Sequence, residues 1–159
     1  MKEQMMYQSG SNLVLTPNRV YSKTNNLVLI SALLFLVLGI FLFIRFNDFW
    51  QMPLAIGFCL GLPGLIHKIA VVQQKIIISQ GPDAEITFHI GKFYKCNIFR
   101  KNEAAIISNT LNGKAYYAVA SKQNPYGKSY QISPFLNRQK TALIFEEEVL
   151  PFIRQQLEI

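Results

Sequence analysis

The side chains able to carry chemistry are few and far apart. Across 159 residues there are two histidines and two cysteines. His67 closes an apolar run and His89 falls between Phe88 and Ile90, and neither has a cysteine or carboxylate at the spacing of a metal site or a triad. Cys59 and Cys96 stand alone, which predicts neither a disulfide nor zinc. Gly57, Gly61 and Gly64 lie inside apolar sequence and not between a strand and a helix, so they form no phosphate loop. The run Glu146 to Glu148 has no partner that would perturb a carboxylate and reads as a solvated face. These patterns point away from an enzyme: no catalytic, metal or cofactor residue is expected, and no cofactor.

The elements that must hold these residues begin with two uncharged stretches. Leu27 to Ile44, "LVLISALLFLVLGIFLFI", has eighteen uncharged residues, and Phe49 to Ile66, "FWQMPLAIGFCLGLPGLI", has eighteen more. At about 1.5 Å per residue each nearly crosses a hydrocarbon core of roughly 30 Å, and the Gly and Pro of the second are tolerated in lipid. Both are expected to be transmembrane helices. The break between them, "FIRFNDFWQMP", follows from electrostatics, because an Arg or Asp at mid-bilayer costs about 2.5–3.5 kcal/mol. Arg45 to Asp48 therefore form an interfacial hairpin turn, and Arg45, Asp48 and Trp50 act as interfacial anchors. Gly57 to Gly61 is a GxxxG spacing, and Gly57, Gly61 and Gly64 offer a close-packing face to another transmembrane helix.

Lys2, Arg19 and Lys23 precede the first span, Lys68 and Lys75 follow the second, and Arg45 alone lies between. This bias places both termini in the cytoplasm of a cytoplasmic membrane. The residues before Leu27 are too long and too polar in front for a signal-peptide leader, and no small-residue cleavage site follows, so the apolar run is expected to be retained. The chain divides into a cytoplasmic N-terminal segment, 1–26, a transmembrane hairpin, 27–66, and a cytoplasmic domain, 68–159.

That last domain carries twelve Lys or Arg against seven Asp or Glu, net +5 of the chain's +7. Its pattern is mostly strand. "QKIIIS" (74–79), "AEITFHI" (84–90), "FYKCNIF" (93–99), "EAAIIS" (103–108), "KAYYAVAS" (114–121) and "KSYQIS" (128–133) are short runs, several alternating, separated by turn residues. Asn112-Gly113 predicts a hairpin that pairs 114–121 back onto 104–111. From Asn137, read as the N-cap, Ala142, Phe145, Val149 and Phe152 recur at helical spacing, widened by Ile153 and Leu157, and Pro151 is expected to kink or divide this amphipathic helix near Glu147. Ahead of the spans, "NLVLT" (12–16) is either an added edge strand or part of a tail.

A two-span hairpin, six or seven short antiparallel strands and a C-terminal amphipathic helix resembles the bacterial pleckstrin-homology-like membrane proteins. The residues that carry it are "KIIIS", "AEITFHI", "YYAVAS" with "YQISPFL", and "ALIFEEEVLPFIRQQL". The resemblance runs from Leu27 to the end. It implies a membrane α-hairpin followed by a small α+β domain, a PH-like β-sandwich or barrel. Eukaryotic relatives of that fold grip lipid headgroups with basic residues on an early hairpin, and Lys92, Lys95, Arg100 and Lys101 are the nearest counterpart here. If the strand is unbroken, alternation sends Lys92 and Lys95 to opposite faces, against a single phosphate cradle.

The expected function is that of a non-enzymatic, membrane-anchored subunit or assembly scaffold of a larger membrane complex. Its partners are the lipid bilayer and other integral membrane proteins. The alternative is an anionic-lipid-sensing module using the basic surface. Tyr94, Tyr116, Tyr117, Tyr126 and Tyr130 beside the basic surplus are residue types that nucleic-acid binding uses, but a membrane tether and the aromatic demand of a small core set that reading aside. Two spans with no internal charge enclose no transport path.

Overall fold

The structure, a computed structural model, describes residues 2–46, 49–81 and 84–157. Asp48, and Pro82 and Asp83 of the expected turn after Gln80, lie outside the described residues. The chain forms two compact units, one of residues 21–71 and one drawn from both flanks, 1–20 and 72–159.

The first unit is a pair of helices, α2 (Ser22–Phe46) and α3 (Gln51–His67). With their flanking turns they run over Arg19–Phe46, 28 residues, and Gln51–Val72, 22 residues, and both are long and apolar enough to cross a membrane. Arg45 occupies the last turn of α2, where a cation meets the negative end of the helix dipole. The reversal then uses Phe49 with φ of 55°, and Trp50 stands just before α3 with its ring edge-on to Phe43 at 5.2 Å. The buried positions of the pair are Asn25, Ala32, Gly39, Gly57 and Gly64, whereas large residues such as Leu34, Phe41, Phe58 and Leu62 are exposed.

The second unit holds two antiparallel sheets. Five strands run in the order β1 (Met6–Ser9), β2 (Asn12–Leu15), β3 (Gln74–Ile78), β4 (Glu85–Ile90) and β5 (Tyr94–Arg100). Three more run in the order β6 (Ala104–Leu111), β7 (Lys114–Ser121) and β8 (Ser129–Gln131). Eight strands among the described residues exceed the expected six or seven because the N-terminal segment supplies two. "NLVLT" is a sheet strand: Leu13, Val14 and Leu15 pair with Ile78, Ile77 and Ile76. It is followed outward by β1, whose two-residue link to β2 needs the left-handed φ of 63° that Gly10 supplies. The Asn112-Gly113 turn has both residues at positive φ, 51° and 73°, and sets Leu111 opposite Lys114 as its sequence implies.

The core is closed by the C-terminal helix, which divides around Glu147 as expected but differs from expectation at its cap and at Phe152. It starts at Gln139 with Arg138 and not Asn137 at the cap position; the Arg138 carbonyl accepts from Thr141 and Ala142. Between α4 (Gln139–Leu143) and α5 (Leu150–Leu157) the chain widens over Ile144–Val149, and the Leu150 N–H reaches back five residues to the Phe145 carbonyl. Pro151, which has no N–H to offer Glu147, accounts for the widening. The extra residue in that turn brings Leu150 into the buried stripe with Phe145, Val149, Ile153 and Leu157, and leaves Phe152 exposed. Lys2 of the N-terminal turn α1 (Lys2–Met5) covers the Phe152 ring at 4.7 Å and pairs with Glu148 at 3.7 Å. Met5 is fully buried, and its carbonyl accepts from Thr16 N–H at 2.7 Å. Residues on both sides of the helix pair therefore share one core, in which each fully buried Leu, Ile or Phe contributes about 1.5–3 kcal/mol.

Candidate functional site

The four basic residues singled out from sequence do not converge. Lys92 belongs to the β4–β5 turn, Lys95 to the start of β5, and Arg100 and Lys101 follow at the other end of that strand. Six residue steps separate Tyr94 from Arg100, about 20 Å along a strand. Beside Arg100 stand the carboxylates of Glu85, its cross-strand partner, and Glu103, which accepts from the Arg100 N–H. Lys101 N–H donates to the Ala84 carbonyl at 2.8 Å. That end of the sheet is charge-balanced.

The opposite end gathers a different basic set. Ile76, Ile78 and Ile86 point into the core, so alternation places Lys75, Thr87 and His89 on the other face. In register, Lys75 is opposite His89 and His89 is opposite Lys95, giving a row of three basic side chains across β3, β4 and β5. The row stays in phase because the irregularity of β5, where Ile86 faces Phe99 but Thr87 faces Asn97, lies beyond it. His89 lies 3.2 Å from the Thr87 hydroxyl, and burial, then Lys95 and Lys75, hold its pKa below the usual 6.5. Sequence reading placed His89 on an outer face but not between two lysines, because cross-strand register is not a local property.

The glycines serve the helix pair itself. A Cβ at Gly57 would come within 2.7 Å of Leu36 and 3.1 Å of the Ala32 carbonyl, and one at Gly64 within 2.9 Å of Leu29. A Cβ at Gly61 would meet Ala32 at 3.6 Å, and one at Gly39, which sequence reading passed over, would come within 2.6 Å of Leu54. The close-packing face thus lies in the α2–α3 seam, and the partner of α3 along it is α2. Asn25 completes the seam: its amide donates to the Gly64 carbonyl at 3.3 Å, and its Oδ1 lies 3.0 Å from His67 Nδ1.

Two further groupings come from residues far apart in sequence. Ile98, Phe99, Ser121, Asn124, Lys128 and Tyr130 line an open hollow of about 220 Å³, with the Lys128 ammonium 5.3 Å from the Tyr130 ring centre. Tyr130, then Tyr94 and Cys96, raise the Lys128 pKa. Tyr117, stacked on Phe145 at 5.5 Å, donates its hydroxyl to Glu146 at 3.2 Å; burial and then Glu146 raise its pKa. Cys59 and Cys96 are free thiols. Among the described residues no group of three His, Cys, Asp or Glu comes together to hold a metal.

The fold and these sites define a chain with two helices able to cross a membrane and an antiparallel sheet unit closed by a C-terminal helix. No protein-family model, curated protein or solved structure matches the chain.

Proposed function

We propose that this chain is a non-enzymatic, membrane-anchored subunit or assembly scaffold of a larger membrane-protein complex. It sits in a bacterial cytoplasmic membrane with the sheet unit and both termini in the cytoplasm. The observation that carries this reading is the interrupted sheet: the chain leaves it after Leu15, forms two apolar helices and returns at Gln74, beside the strand it left. An anchor inserted within a domain ties that domain to the bilayer at two points and not by one flexible linker. Sheet-edge strands, β1 and β5 in one sheet and β6 and β8 in the other, supply the kind of surface to which a partner adds a strand. The outward leucines and phenylalanines of α2 and α3 supply one for lipid or for partner helices. The histidines support the non-enzymatic reading, since their partners are Asn25 and Thr87 and not carboxylates. The basic residues flanking the helices support the orientation. The paired sheets and closing helix support a pleckstrin-homology-like identity for the unit.

Affinity purification of the full chain in mild detergent, followed by mass spectrometry of the intact assembly, tests the proposal. A partner membrane protein at fixed stoichiometry is expected. A chain that elutes alone, from membranes extracted under several mild detergents, overturns it.

A further inference from the structure

Both connections to the helix pair leave the sheet unit from one end of its five-stranded sheet. Asn18, just before the chain enters α2, donates through Nδ2 to the Gln74 side chain at 3.1 Å, and Gln74 opens β3 directly after the chain returns. The β4–β5 turn is bound to the same end, because Gly91 N–H donates to the Gln73 carbonyl at 3.2 Å. The φ of 56° favours glycine at position 91. The turn is thus pinned to the point of attachment.

At its apex Phe93 is 81% exposed, flanked by Lys92 and Lys95, with the row Lys75, His89 and Lys95 on the outer face behind it. An exposed phenyl ring is poorly served by water, and lysines on one face gain from an anionic surface. Both are well served by a surface that is apolar within and anionic at its rim. The described carboxylates of the sheet, Glu85 and Glu103, stand at the other end and do not neutralise the row.

We infer that the β4–β5 turn is a membrane-docking tip. Phe93 seats at the boundary of the acyl chains of an anionic leaflet, and Lys92 and Lys95, backed by Lys75, lie against lipid phosphates. Recognition is of surface charge and apolar depth, with no selection of one headgroup. Arg100 and Lys101 take no part. This inference rests on the reading of α2 and α3 as membrane spans.

The full chain in nanodiscs tests it by tryptophan quenching from brominated acyl chains. Trp50 is the sole tryptophan, so Trp50→Phe with Phe93→Trp reports on the tip, and Trp50→Phe with Asn102→Trp reports on the far end of β5. Quenching of the probe at 93 in discs containing phosphatidylglycerol or phosphatidylserine alike, and not of the probe at 102, is expected. Adding Lys92→Ala and Lys95→Ala should lower tip partitioning roughly fivefold per charge removed. As a check that needs no substitution, amides 91–95 of the unaltered chain should exchange hydrogen more slowly in anionic than in phosphatidylcholine discs. Equal quenching at 93 and 102, or amide exchange indifferent to lipid charge, overturns the tip. The native Trp50 separates the two readings: quenched Trp50 with an unquenched probe at 93 leaves the spans standing and removes the tip, while unquenched Trp50 removes both.

Discussion

In the helix pair the buried positions belong to glycine, alanine and asparagine, and large residues such as Leu34, Ile40 and Phe41 are exposed; in the sheet unit Phe145, Ile76, Ile86 and Ile153 are fully buried. One chain follows opposite rules in its two units. In the sheet unit, water drives apolar side chains together, so size inside stabilises. Between helices surrounded by other apolar matter that drive is absent, and stability comes from backbones brought close by small residues and from hydrogen bonds across the seam. The inversion is what a change of solvent from water to lipid requires.

Substitutions that shrink one interior and enlarge the other should break this symmetry most visibly. Phe145→Ala empties a fully buried site beside Tyr117 and Val149 and should cost about 3–5 kcal/mol, read as loss of the sheet unit's cooperative unfolding in detergent. In the helix pair the damaging change runs the other way. Gly57→Leu forces a side chain against Leu36 and the Ala32 backbone and should cost about 1–3 kcal/mol, whereas Leu34→Ala on the outer face should cost no more than about 0.5 kcal/mol. Helix separation measured by paired spin labels across α2 and α3 checks both. If Leu34→Ala proves the worse of the two, the seam is misassigned.

The smallest effect is electrostatic and belongs to the sheet unit alone. His89 is held below 6.5 in the folded state by partial burial and by Lys95 and Lys75, so the unfolded chain takes up a proton that the folded chain resists. Above about 6.5 both forms are neutral and nothing is lost; as pH falls below it, stability should drop. His89→Gln should flatten this slope in urea titrations across that range. An unchanged slope would assign the dependence to another group.

Much of this was readable because it is local. Eighteen-residue apolar runs, strand alternation and Asn112-Gly113 are properties of neighbours in sequence, and α2, α3 and β3 to β8 follow them. What was hidden depends on partners. β1 has two polar residues in four and exists because β2 beside it is itself held by β3. Phe152 fits an ideal helical stripe, and only the widened turn before Pro151 turns it outward to Lys2. Gly57 and Gly61 advertise close approach without saying to what, and the spread of Lys92 through Lys101 along one strand splits a sequence cluster into two ends.

The interrupted sheet also sets an order of events during synthesis. β2 is translated early, yet 58 residues separate Leu15 from Gln74, where its neighbour β3 begins. At about 5–20 residues per second, several seconds pass before that strand can pair. Both apolar segments are made in that interval, before the sheet can close.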